Sequence, residues 1–276
     1  MQKMSGDVSG KKRCTAVILA GGSGSRMKSG VAKQFMLLDG KPLLWYSLQA
    51  VQKSEIIDDC ILVAGSGSDT ADSEIADTLD YVDREIVKKY GFTKVAAVIA
   101  GGAERCWSVE NAMSLLRGSE EKMRIPNREG YIFIHDSARP FLTEEIIRRT
   151  YEAVQRCHAC VAAMPSKDTV KLADTDGFAA TTPDRRLVWT IQTPQVFDTA
   201  LITDAYRQLR EQYSLQNCRL LQPDGSPTPP PVTDDASVVE RFTNVKVKLV
   251  EGSYRNIKIT TPEDIKVAEA LLDFEG

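Results

Sequence analysis

The chain of 276 residues contains no apolar run approaching the ~20 residues that a membrane-spanning helix needs, so no bilayer span is expected. It also lacks an excess of either charge, with 35 Lys+Arg against 38 Asp+Glu. No basic field exists to hold nucleic acid or an anionic membrane non-specifically. An anionic ligand has to be met by a few placed cations. Cysteine is sparse and scattered: Cys14, Cys60, Cys106, Cys157, Cys160 and Cys218 do not make the dense pattern of a secreted disulfide scaffold. Four of them lie in or beside apolar runs, as reduced core thiols of a cytoplasmic protein would. The opening MQKMSGDVSGKKR has no apolar core for a signal peptide, and residues 1–12 are expected to form a disordered tail. What is present, 42% hydrophobic and 26% charged residues, excludes global disorder and suffices for a sizeable core.

Short apolar runs alternate with longer amphipathic stretches. Residues 15–20 (TAVILA), 60–64 (CILVA), 95–100 (VAAVIA), 131–134 (YIFI) and 161–164 (VAAM) read as buried strands. Residues 43–53 and 105–117 read as helices. Thr143 reads as an N-cap ahead of Glu144 and Glu145, and Thr261-Pro262-Glu263-Asp264 opens a last helix. Strands apolar throughout, alternating with helices, predict an α/β fold with a mostly parallel sheet covered on both faces. Two stretches break the rhythm. Residues 171–190 look like a β-hairpin excursion, and the Pro-rich residues 214–232 look like an inserted loop or flap. The expected organisation is a single domain over 13–276 carrying both.

After the first strand comes Ala20-Gly21-Gly22-Ser23-Gly24-Ser25-Arg26-Met27, then Lys33-Gln34. A Gly-rich turn between strand and helix exposes backbone N–H groups and lets a phosphate chain approach without Cβ clashes. A tight turn with nothing bound is the competing explanation. Two named fingerprints fail here. Met27 stands where a dinucleotide-binding Gly-x-Gly-x-x-Gly needs its third glycine, and where a Walker A loop ending in Lys28-Ser29 needs its second. A hydride-transfer enzyme and a P-loop NTPase are both disfavoured.

The string LAGGSGSRM…KQF, with Gly101-Gly102-x-x-Arg105-x-x-Ser108, His135-Asp136-x-Ala138-Arg139-Pro140 and Asn256-Ile257-Lys258, resembles the 2-C-methyl-D-erythritol 4-phosphate cytidylyltransferases. The resemblance runs over roughly residues 14–273 and implies the nucleotide-diphospho-sugar transferase fold, a Rossmann-like sheet with a β-hairpin dimerisation arm. It implies the reaction of CTP with methylerythritol 4-phosphate, giving CDP-methylerythritol and diphosphate, with Mg²⁺ or another divalent cation. A phosphate monoester is mostly a dianion at neutral pH, its second pKa being about 6. No general base is required, in keeping with only two histidines.

By that resemblance Arg26 and Lys33 meet the CTP phosphates and Lys258 the reacting α-phosphate. Ser108 and the backbone near Ala20, Gly21, Gly22 and Gly101 read the cytosine; Arg105 either helps or merely opens a helix. Asp136, with Ser137 beside it, stands near the ribose and the second substrate, with a metal link either through it or through the CTP phosphates alone. Arg139 is expected toward the methylerythritol phosphate, and His135 as a hydrogen-bonded structural residue. Thr169, Arg185, Thr193 and Thr233 match substrate-side positions. Arg185 and Thr193 are expected to be carried by the 171–190 arm into a partner's site in a homodimer, while Thr233 is equally well a helix N-cap. Arg255 replaces the aspartate that some members carry before Asn-Ile-Lys and is given no such role. Cys157-His158-Ala159-Cys160 has no fourth ligand nearby and reads as a turn rather than a zinc site. The rival readings are a ribitol 5-phosphate cytidylyltransferase and a non-catalytic nucleotide-binding protein.

Overall fold

The computed structural model describes residues 10–21, 33–65, 72–118, 129–212, 214–216, 219–221 and 232–273. Seven strands form the central sheet: β1 Cys14–Ala20, β2 Asp59–Ala64, β3 Val95–Ala100, β4 Tyr131–Asp136, β5 Ala159–Pro165, β6 Trp189–Asp198 and β7 Lys248–Glu251. The helices are α1 Leu43–Lys53, α2 Asp72–Tyr81 (continued by a π-helical stretch, Val82–Lys88), α3 Arg105–Arg117, α4 Glu144–Cys157, α5 Thr199–Gln212, α6 Asp235–Phe242 and α7 Pro262–Asp273.

The strand order is β7-β5-β6-β4-β1-β2-β3. Six strands run one way. β6 runs against them from an interior position, antiparallel to both β4 and β5. The ladder between β6 and β5 shifts register between Ile191 and Gln195, and the Thr193–Pro194 peptide there is cis. A proline inside an interior strand is placed where the ladder breaks, because it has no N–H to give.

Alternation along the strands feeds two cores. Cys14, Ala16, Ile18 and Ala20 of β1 pack toward α1 and α4, against Leu44, Leu48, Ile146 and Val154. Val17 and Leu19 face the other way, toward Met113 of α3, Tyr206 of α5 and Val239 of α6. Both faces of the sheet are therefore covered, which is why its central parallel strands carry near-continuous apolar runs. Thr143 caps α4, its hydroxyl accepting from the Ile146 N–H at 3.3 Å. His158 ends the same helix in the left-handed region at φ 64°. Its ring bonds Asp198 at 2.7 Å, while the Cys157 and Cys160 thiols donate to backbone carbonyls.

The excursion after β5 is a small antiparallel hairpin, Leu172–Ala173 with Ala179–Thr181, exposed throughout. It is shorter than expected from the sequence. Trp189 and Thr190 belong to β6, paired with Pro165 and Met164 of β5. Of the Pro-rich stretch, residues 214–216 and 219–221 form a second hairpin. The remainder of 214–232 lies outside the described residues except Val232, as do residues 1–9 of the expected tail and Cys218.

Candidate functional site

In a parallel sheet the carboxyl ends of neighbouring strands lie along one edge, where open α/β folds hold their ligands. Here that edge gathers Ala20-Gly21 after β1, Gly65 after β2, Gly101-Gly102 after β3 and Asp136 ending β4. The register confirms the alignment, Ala20 opposite Ala64, Ala64 opposite Ala100, and Leu19 opposite Asp136. Gly65 adopts φ +74° and lays its carbonyl between its neighbours. A Cβ on Gly21 would stand 2.6 Å from that oxygen and one on Gly101 2.3 Å from it. The close approach that makes glycine necessary at both positions is therefore backbone against backbone. Ser108, buried on α3, accepts the Gly102 N–H at 3.0 Å and donates to the Glu104 carbonyl at 3.3 Å.

An ionic chain crosses this edge. Arg105, the first residue of α3, donates from Nε to Asp136 Oδ1 at 3.0 Å. Its Nη1 and Nη2 grip Asp235 Oδ1 and Oδ2 at 3.0 and 2.7 Å. The other oxygen of Asp136 accepts from Lys258 Nζ at 2.6 Å. Two carboxylates and two cations thus close the charge locally. Burial pushes the Asp136 carboxyl up, but the charges of Arg105 and then Lys258 more than reverse this and hold it well below the usual carboxylate range. Burial likewise works against the Arg105 charge, and Asp235 and Asp136 overcome it.

Lys258 is positioned by the loop after β4. The Ile259 N–H donates to the Ala138 carbonyl at 2.8 Å, and Arg139 Nη1 donates to the Asn256 carbonyl at 2.7 Å. Asn256, fully buried, donates to the Thr193 carbonyl at 2.8 Å and ties the segment to β6. His135 Nε2 lies 3.1 Å from the Arg139 carbonyl, so it must donate, and Nδ1 is left to accept from the Thr193 hydroxyl at 3.0 Å. The Thr193 oxygen in turn accepts the Asp136 N–H at 3.1 Å. Burial lowers the His135 pKa to about 4. It is a neutral structural residue, as expected.

Of the residues named from the sequence, Ala20, Gly21, Gly101, Arg105, Ser108, Asp136, Ser137, Arg139 and Lys258 come together along this edge. Ser137 is buried and donates its N–H to the Leu19 carbonyl at 3.0 Å. Lys33 opens a 3-10 turn, Lys33–Phe35. Gly22 and Arg26 lie outside the described residues. Thr169 and Arg185 are exposed, Arg185 donating to the Lys167 carbonyl at 3.5 Å.

Two expectations are corrected. Thr193 is not on the arm: it stands within β6 at 4% exposure, with its hydroxyl committed to His135 and Asp136 of its own chain. Thr233 is not the N-cap of α6, because Asp234 takes that place in a capping box with Ser237. Asp235, Tyr206, Gln195 and Asn256 belong to the network and were given no role from the sequence. Asp235 looks there like any first-turn helix acid, and nothing local distinguishes it. Arg255 donates to the Leu271 carbonyl at 2.6 Å near the end of α7, a helix-end contact rather than a substrate one.

The donor set does not make a protein cage for a divalent cation. Both oxygens of Asp136 already accept from cations. Among the described residues no group of three or more His, Cys, Asp or Glu is gathered that would hold one.

The family model of 2-C-methyl-D-erythritol 4-phosphate cytidylyltransferase matches residues 14–274. The cytidylyltransferase of that name from Lachnospira eligens is 45% identical over 94% of this chain and 98% of its own length. The one from Lachnoclostridium phytofermentans is 41% identical over 95% and 97%. The crystal structure of 4-diphosphocytidyl-2C-methyl-D-erythritol synthase from Anaerococcus prevotii superposes with a TM-score of 0.71 at 31% identity, covering 95% of this chain and 96% of that one. A second structure of a synthase of that name gives 0.67 at 27%, over 95% and 100%. On fold, on the residues gathered at the sheet edge and on similarity along nearly its whole length, the chain belongs to the 2-C-methyl-D-erythritol 4-phosphate cytidylyltransferase family.

Proposed function

We propose that this chain transfers the cytidylyl group of CTP to 2-C-methyl-D-erythritol 4-phosphate, releasing diphosphate, in non-mevalonate isoprenoid biosynthesis. The observation that carries this reading is the meeting of Lys258 and Arg105 on the two oxygens of Asp136 at the sheet edge, in a chain that matches the family model over residues 14–274. The substrate phosphate attacks the α-phosphorus in line and the P–O bond to diphosphate breaks. The nucleophile is already a dianion, its second pKa being about 6, so no base has to act. The obstacle is repulsion between two polyanions. Lys258, whose side chain is 40% exposed, has further N–H donors to offer a phosphate. Lys33 and Arg26 add charge from the Gly-rich turn. Such placed cations lower the barrier by meeting charge as it develops and by aligning the reactants.

With Asp136 occupied by Arg105 and Lys258, the divalent cation reaches the site on the CTP phosphates, as part of the nucleotide substrate. Ser108 and the backbone at Ala20, Gly21 and Gly101 read the base. Arg139 and Thr169 face the second substrate. The exposed hairpin, with Leu172 and Phe178 at 54% and 73% exposure, docks on a second copy and brings Arg185 to its site. The reaction takes place in the cytoplasm, and no described helix is long and apolar enough to cross a membrane.

The test is diphosphate release from CTP and Mg²⁺ with methylerythritol 4-phosphate or ribitol 5-phosphate as acceptor. Release with the first and none with the second is expected. The reverse pattern would replace the acceptor, and release with neither would remove the activity.

A further inference from the structure

The start of α6 is built as a fixed post beside the ionic chain. Gln195 of β6 donates from Nε2 to Asp234 Oδ2 at 2.9 Å and accepts the Ala236 N–H on Oε1 at 3.0 Å. Asp234 and Ser237 close the capping box around it. The residue held between, Asp235, is fully buried and takes three hydrogen bonds: two from Arg105 and one from the Tyr206 hydroxyl at 2.6 Å. Tyr206 is itself fully buried on α5.

A buried ion pair gains little stability over apolar side chains of the same volume, since both ions lose their hydration. Stability alone therefore gives little reason for this pair. Geometry gives a better one. Both oxygens of Asp235 hold one N–H each of Nη1 and Nη2, which fixes where the guanidinium of Arg105 sits; in that position it meets Asp136 through Nε, on Oδ1 alone. That leaves Oδ2 for Lys258. A guanidinium released from Asp235 could shift to set its parallel Nε–H and Nη–H against both oxygens of Asp136.

We propose that Asp235, held by Tyr206, is a positioning residue of the transfer reaction. It restricts Arg105 to one oxygen of Asp136, and so keeps the other oxygen for Lys258. This rests on the reading of the sheet edge as the nucleotidyl-transfer site. Asp235 acts on Lys258 through Arg105 and Asp136.

The experiment uses the full chain with two readouts: steady-state kinetics with CTP and methylerythritol 4-phosphate, and the rate at which acetic anhydride acylates Lys258, followed by mass spectrometry. Asp235→Asn, shown folded by circular dichroism, should lose about tenfold or more in kcat with KM for CTP within about threefold. Lys258 should acylate about threefold faster or more, as its carboxylate partner is taken by Arg105. Asp235→Glu should recover part of both. Tyr206→Phe keeps the carboxylate and should move both readouts in the same direction by about twofold, which keeps the test open if the Asn variant does not fold. Wild-type kcat in a folded Asp235→Asn protein would overturn the proposal. So would a loss of kcat with unchanged Lys258 acylation, since Asp235 would then act only on the fold. If the wild-type chain turned over neither acceptor, the proposed function would fail, while the acylation rates would still decide whether Asp235 governs Lys258.

Discussion

Burial keeps the His135 ring neutral against the opposing pull of its hydrogen bonds, and this ties the stability of the fold to pH. Its pKa falls to about 4 in the folded chain, chiefly because burial disfavours the cation, against about 6.5 in an unfolded one. The unfolded chain therefore binds a proton first as pH drops. Stability from this residue is complete above pH 6.5 and is lost progressively down to pH 4, by at most roughly 3 kcal/mol. Below that both forms are protonated and the loss stops. Urea unfolding of wild type and His135→Asn between pH 7.5 and 4.5 checks this: the wild-type slope over that range should flatten in the variant. Parallel profiles would show that His135 does not titrate as described. The residue type was legible in the sequence, and so was its role, because His-Asp ends an apolar strand. Asp235 was not, since its partners, Arg105 and Tyr206, are 130 and 29 residues away.

Strands β1 to β5 were legible because each carries a near-continuous apolar run, as strands of a covered parallel sheet do. β6 was not. Its first half, Trp-Thr-Ile-Gln-Thr-Pro, mixes polar residues and a proline into an interior strand, because those positions serve the site rather than the core. β7, a four-residue edge strand that is mostly exposed, has no apolar run to show. The two-residue loop Asp39-Gly40, with φ 46° and 69°, turns a short hairpin between Leu38 and Lys41 by the Asp-Gly chemistry such loops require, and it too passed unread. The glycine turns were recognised, but their cause is now more specific. Gly101→Ala would drive a methyl group to 2.3 Å from the Gly65 carbonyl, and neither backbone end is free to yield. Destabilisation of about 1–3 kcal/mol is expected, with weakened CTP binding as the strand ends part. Thermal unfolding and CTP titration would read both. A variant as stable as wild type, binding CTP equally well, would mean that the three strand ends are not locked together.

For the whole molecule, the balance of 35 cations and 38 anions leaves function to local placement, and the site shows that placement at work. Leu172, Phe178 and Leu187 stand 54%, 73% and 80% exposed on and just beyond the hairpin, more than a chain in isolation would be expected to leave in water. If a second copy covers them, sedimentation should find the wild-type chain at the mass of two. Phe178→Ser with Leu187→Ser should then bring it to the mass of one and cut transfer activity with it. A wild-type chain sedimenting as one copy would set the arm reading aside.

β6 enters the sheet directly from the base of that arm. Trp189 pairs with Pro165, and along the same strand Gln192, Thr193 and Gln195 hold Asn256, Asp136 and the start of α6. Side chains alternate faces with a period of two, so one residue gained or lost within the paired segment Trp189–Ile191 would turn the strand's following anchors to the wrong side of the sheet. The exposed Asp174–Phe178 turn at the far tip, by contrast, can lengthen or shorten and leave the reading frame of the strand intact.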